Sequence, residues 1–129
     1  MTYAYWYIFL AMLLPYGFTV LAKFGPGYDN RSPRAYLESL EGWRLRSHWV
    51  QLNSFEIFGP FAVSVIIAQL AHAPQNWVDI LALSFLITRV FYGMFYLFNH
   101  ATLRSLSWFA GLLCIIGLYM LAAFKGVSV

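Results

Sequence analysis

Charge is scarce in this chain. Of 129 residues only 10% are charged, and the formal net charge is +3. That balance is too small to argue for nucleic acid, and no basic run interleaved with aromatics is present. Cysteine is almost absent: Cys114 stands alone, which excludes an intrachain disulfide and a cysteine metal motif. No glycine-rich phosphate loop and no nucleophile–base arrangement is visible. His72 and His100 fall at opposite ends of the expected bundle, so they cannot meet at one metal site, and no metal is expected. No Lys or Arg precedes the first apolar run and no small-residue cleavage site follows it, so that run reads as a retained span.

Apolar residues fill the remainder. The hydrophobic share is 61% and the aromatic share 20%, with a mean hydropathy of +0.66. These values describe a polytopic membrane protein. The expected architecture is an all-α, four-transmembrane-helix bundle forming a single domain over 1–129. The spans are expected at about 3–23, 45–73, 77–98 and 104–125, with a cytoplasmic loop at 24–44. Pro15 and Gly17 are expected to kink the first span, and Gly59-Pro60 the second. Ser32-Pro33 is expected to start a short helix that Gly42 ends. Ala110, Gly111, Gly117, Ala122 and Ala123 suit close helix packing on span four.

Loop charge sets the orientation. The first loop carries Lys23, Arg31, Arg34, Arg44 and Arg46, the second carries no Lys or Arg, and the third carries Arg104. The positive-inside rule places loops one and three in the cytoplasm and both termini outside, with Lys125 a weak opposing signal.

The stretch Arg46-Ser-His48-Trp-Val-Gln-Leu-Asn53-Ser-Phe-Glu56 organises the chain. It carries polar groups from the membrane edge into an apolar helix. Asn53 and Glu56 are three apart and share a face. Glu56 lies ~15 Å below Arg46, and Arg89 lies ~15 Å below Asn99 on the same side. Opposite charges at matching depth are expected to pair, since each alone is costly in hydrocarbon. Arg89, Tyr92 and Tyr96 form a stripe at i, i+3 and i+7. A polar column of Arg104, Tyr96, Tyr92, Arg89, Glu56 and Asn53 is expected, with Arg46 and His48 at its mouth. Such a column suits an anionic, hydrogen-bonding ligand entering from the cytoplasm. Asp79 reads as an edge charge or a helix N-terminal charge.

This combination resembles the MAPEG family, the membrane-associated proteins in eicosanoid and glutathione metabolism. The matching features are four spans in ~130 residues, a basic first loop, Asn53-x-x-Glu56, Arg89-x-x-Tyr92-x-x-x-Tyr96, and Arg104 opening span four. The linker Asp29-Asn30-Arg31-Ser32-Pro33-Arg34-Ala35-Tyr36 is similar to a bacterial branch, which implies a bacterial inner membrane. The resemblance implies a homotrimer that binds reduced glutathione between subunits near the cytoplasmic face. It implies transferase or peroxidase activity on lipophilic electrophiles or lipid hydroperoxides. Asn53, Glu56, Arg89, Tyr92 and Tyr96 would hold glutathione, and Arg104 would stabilise its thiolate. Many members carry an arginine four before the motif asparagine. Here that position is Trp49, and Arg46 is the nearest arginine, placed with the glutathione-binding residues. The alternative is a non-enzymatic lipid-binding or scaffold protein of the same fold, held by a Glu56–Arg89 clamp.

Overall fold

The computed structural model describes residues 1–127. Five helices follow in order: α1 (Tyr3–Lys23), α2 (Pro33–Glu38), α3 (Gly42–Leu70), α4 (Gln75–Leu97) and α5 (Ala101–Val127). α1, α3, α4 and α5 are each long and apolar enough to cross a membrane. The side chain of Lys125 lies outside the described residues.

Each helix begins and ends for a local reason. The Thr2 hydroxyl accepts the Tyr5 N–H and opens α1. Asp79, at the start of α4, accepts the Ala4 N–H at 2.9 Å, so its negative charge caps the N-terminus of α1. α1 runs without a break through Pro15, and α3 through Pro60. Neighbouring helices make such prolines tolerable in a membrane span. Pro33 occupies the first turn of α2. That helix stops at Glu38, short of the expected Gly42. Gly42 instead opens α3 with φ +66°, a conformation that costs glycine little. Span two therefore begins slightly earlier than the hydropathy pattern places it.

α3 and α4 end alike. His72 (φ 55°) and Asn99 (φ 63°) adopt the left-handed conformation just past each helix. At the end of α4, Asn99 N–H donates to the Tyr96 carbonyl and His100 N–H to the Phe95 carbonyl at 2.8 Å. His72 and Ala73 make the equivalent bonds to Gln69 and Ala68. These Schellman closures satisfy carbonyls that a membrane edge cannot solvate well and turn the chain sharply back.

The core forms between the four long helices. Phe61 of α3 and Phe85 of α4 stack with centroids 4.0 Å apart. Val65, Val78, Ala82 and Leu118 complete a buried layer around them. Gly111 and Gly117 let α5 approach α4 closely: an added Cβ would meet Thr88 and Leu81, each at 3.1 Å. Small residues thus bring helices together where no hydrophobic force separates protein from lipid. Large side chains point outward on every span, among them Phe9, Leu13, Ile87, Phe91, Leu106 and Leu113. Their exposure is that of a lipid-facing surface.

Loop one packs onto the end of the bundle. Leu37 and Leu40 bury against Ala22. Arg44 donates to the Ala22 carbonyl at 3.1 Å and to the Tyr36 hydroxyl. The Arg31 amide and guanidinium hold the Asp29 carboxyl below its ordinary range.

Gly93 provides the sharpest packing test. A Cβ there would lie 2.0 Å from Cζ of the buried Phe18. Gly93→Ala is expected to cost about 1–3 kcal/mol of stability in thermal unfolding in detergent, as overpacking does. Gly17→Ala, which meets nothing within 4 Å, should be neutral or slightly stabilising. Adding Phe18→Leu should recover part of the Gly93→Ala loss.

Candidate functional site

Arg89 is the most deeply buried charged side chain among the described residues. Its residue is 2% exposed. Nη2 donates to Asn53 Oδ1 at 2.8 Å and to Ser54 Oγ at 3.2 Å. The guanidinium carbon lies 4.1 Å from the Tyr92 ring centroid. One helical turn further, the Arg104 guanidinium lies 4.5 Å from the Tyr96 ring. The two tyrosines meet edge to face at 5.6 Å. Two arginines are thus held on two touching aromatic rings, one inside the bundle and one at its edge. Cation–π contacts stabilise such charges more when water is excluded.

The expected Glu56–Arg89 pair does not form in this chain. Arg89 bonds neutral partners, and Glu56 is exposed. Direction around the helix axis separates the two side chains. Each residue turns ~100° about a helix. Ser54 and Ile57 face inward and are buried, whereas Glu56 faces outward beside α5. Asn53 sits on the border and serves both sides. Arg89 Nε and Nη1 are buried with no hydrogen-bond partner among the described residues. A small cavity of about 10 Å³ adjoins the Arg89 side chain, lined by Ala11, Leu14, Ser54, Ile57, Phe58 and Phe85 as well.

The accessible face of this cluster is a cleft of about 370 Å³ lined by Asn53, Tyr92, Tyr96, Arg104, Ser105, Trp108 and Phe109. That lies in the size range of small-molecule sites, about 300–1,000 Å³. An apolar groove of about 250 Å³ adjoins it, lined by Asn53, Glu56, Ile57, Pro60, Trp108, Leu112 and Ile115. Asn53 and Trp108 belong to both, so they form the border between a polar and an apolar compartment. Chemically, the first can take anionic and hydrogen-bonding groups, and the second a hydrocarbon body.

Not every expected residue joins. Arg46 donates from Nε to the Tyr96 carbonyl and from Nη2 to the Leu97 carbonyl, each at 3.0 Å. It caps the end of α4 and lines a different hollow. His48 is buried beside Gln51, whose side-chain oxygen lies 3.3 Å from Nδ1, and lines neither the cleft nor the groove. Among the described residues no group of His, Cys, Asp and Glu is arranged to hold a metal ion. Four lining or supporting residues escaped the spacing argument: Ser54, Ser105, Trp108 and Phe109. Trp108 was within reach of it, since it lies four after Arg104 on the same helix face.

The Asn53–Arg89 bond generates a direct test. Asn53→Ala should cost about 1.5–3 kcal/mol, the usual loss for a hydrogen bond to a charged group. Asn53→Asp gives Arg89 a carboxylate and should be clearly more stable than Asn53→Ala. Thermal unfolding in detergent reads both. Equal melting temperatures for the two variants would show that Arg89 is not anchored through this position.

The fold and site stand beside one clear match and one blank. A search of curated proteins returned no match. The model of the MAPEG family matches residues 2–124, nearly the whole chain. That match spans all four membrane helices, the Asn53–Arg89 junction and the Arg104 edge, and by it the chain belongs to the MAPEG family.

Proposed function

We propose that this protein is a glutathione-dependent membrane transferase or peroxidase acting on lipophilic electrophiles or lipid hydroperoxides. The observation that carries the reading is the continuous pair of compartments. A cleft with Arg104 at its edge adjoins an apolar groove across Asn53 and Trp108. Members of the MAPEG family are often glutathione transferases or peroxidases. Reduced glutathione matches the polar compartment, because it offers carboxylates, amides and a thiol.

The roles follow from access. Asn53, Tyr92 and Tyr96 present hydrogen-bonding groups to the tripeptide. Arg89 supports them from below, as a positioning residue fixed on Asn53 and against the Tyr92 ring. Glu56, on the neighbouring groove, is a partner for the glutathione ammonium or for a second subunit. The homotrimer belongs to this proposal, with the site completed between subunits and loops one and three in the cytoplasm of a bacterial inner membrane. Arg46 stands outside the set.

In this reading Arg104 meets the reacting sulfur. It sits in the first turn of α5, where the positive end of the helix dipole adds to its own charge. Among the described residues it has no carboxylate partner. Nearby positive charge favours a thiolate over a thiol. In transfer, the thiolate forms a carbon–sulfur bond while the electrophile's leaving bond breaks and the leaving group takes the electron pair. In peroxide reduction, the thiolate attacks the terminal peroxide oxygen and the O–O bond breaks, giving an alcohol after proton uptake. A second glutathione then displaces water, leaving the glutathione disulfide. Holding both reactants in adjoining compartments supplies the proximity part of the acceleration.

The scaffold alternative leaned on a Glu56–Arg89 clamp, and that clamp is missing from the subunit.

Titration of the detergent-purified protein with reduced glutathione, followed by thiolate absorbance in the ultraviolet, tests the reading. Saturable thiolate formation is expected. Arg104→Ala should lower it at least about tenfold, a change of ~1.4 kcal/mol, while leaving the fold intact. A folded protein that binds no glutathione would overturn the proposal.

A further inference from the structure

A second hollow, of about 550 Å³, lies at the basic end of the bundle where α1, α3 and α4 meet. Its walls are Leu21, Trp43, Arg46, Leu97 and Phe98. Neither compartment of the proposed glutathione site includes any of them.

Three observations bear on its occupant. First, it joins exposed apolar walls to a single fixed cation. Leu21, Trp43 and Phe98 are 42%, 44% and 69% exposed. Arg46 is immobilised by its bonds to the Tyr96 and Leu97 carbonyls, while Nη1 has no protein partner among the described residues. Second, the surrounding charge is uncompensated. This end of the bundle gathers Lys23, Arg31, Arg34, Arg44, Arg46 and Arg104 against Asp29, Glu38 and Glu41. Among the described residues the one ion pair is Arg31–Asp29, so neither Arg44 nor Arg46 is neutralised by a carboxylate. Arg44 bonds only the Ala22 carbonyl and the Tyr36 hydroxyl. Third, the hollow lies at the end of membrane-spanning helices, where a tryptophan and a basic residue together mark the headgroup level.

We infer that this hollow binds an anionic phospholipid, its phosphate on Arg46 and its upper acyl chain against Leu21, Trp43 and Phe98. A guanidinium whose other nitrogens are already anchored loses little freedom on binding a phosphate. The occupant is a lipid and not a soluble anion, because the walls are apolar and open to the bilayer. The inference is independent of the glutathione reading.

Native mass spectrometry of the detergent-purified protein, with phosphatidylglycerol titrated against phosphatidylcholine, tests it. Saturable binding that favours phosphatidylglycerol is expected. Arg46→Gln keeps a donor for the α4 carbonyls and should weaken that binding about five- to tenfold. Phe98→Glu, at an exposed position that does not threaten folding, should weaken it similarly by placing a negative charge at the mouth. Arg34→Gln, elsewhere on the basic loop, should change it little. Equal retention of the two lipids would overturn the inference. So would equal losses from Arg34→Gln and Arg46→Gln, the mark of a diffuse basic field, or displacement of the lipid by equimolar inorganic phosphate.

Discussion

A guanidinium buried in the membrane-spanning core is the constraint around which the rest is arranged. Arg89 has no carboxylate partner among the described residues and rests on Asn53, Ser54 and the face of Tyr92. A charge at bilayer depth is tolerated only with such partners. Each partner is consequently held in place by the cost of losing it. Removing an acceptor from a buried charge leaves the charge stranded, and that penalty exceeds the value of the bond itself. Asn53 therefore cannot swing away, and Tyr92 is pinned against the cation. Since both line the cleft, the buried charge makes the cleft floor rigid.

The division of labour between two arginines follows. Arg89 is enclosed and cannot meet a ligand without the helices parting. Arg104 is partly open, lies on the neighbouring tyrosine and sits in the first turn of its helix. The same cation-on-tyrosine arrangement is used once for anchoring and once for exposure. The edge-to-face contact of Tyr92 and Tyr96 joins the two, so the anchored charge fixes the ring beneath the accessible one.

The four spans were legible because hydropathy in a bilayer is close to a direct read of structure. The clustering of side chains was legible too: Asn53, Arg89, Tyr92, Tyr96 and Arg104 come together from three helices. The unformed Glu56–Arg89 pair has one cause. Counting residues along an axis gives depth but not azimuth. Glu56 is three residues beyond Asn53, yet the helix turns it toward α5, while Ser54 takes the inward position beside Arg89. Arg46 lies away from the cleft for a different reason. Its partners are backbone carbonyls of α4, and no pattern of side chains announces a bond to a main chain fifty residues away. The same holds for Asp79, whose carboxylate reaches the Ala4 amide of the first helix.

Arg46 also explains how the basic end and the cleft are mechanically joined. The last carbonyls of α4 carry the negative end of its dipole, and an arginine from α3 neutralises them. One of those carbonyls belongs to Tyr96, whose ring carries Arg104. The chain then turns through Asn99 and enters α5 at once, so the position of Arg104 depends on where α4 ends. A residue outside the cleft thereby fixes the helix end from which the cleft's partly open cation, Arg104, is placed. Arg46 and Arg104 are thus joined through Tyr96, the first bonding its carbonyl and the second lying over its ring.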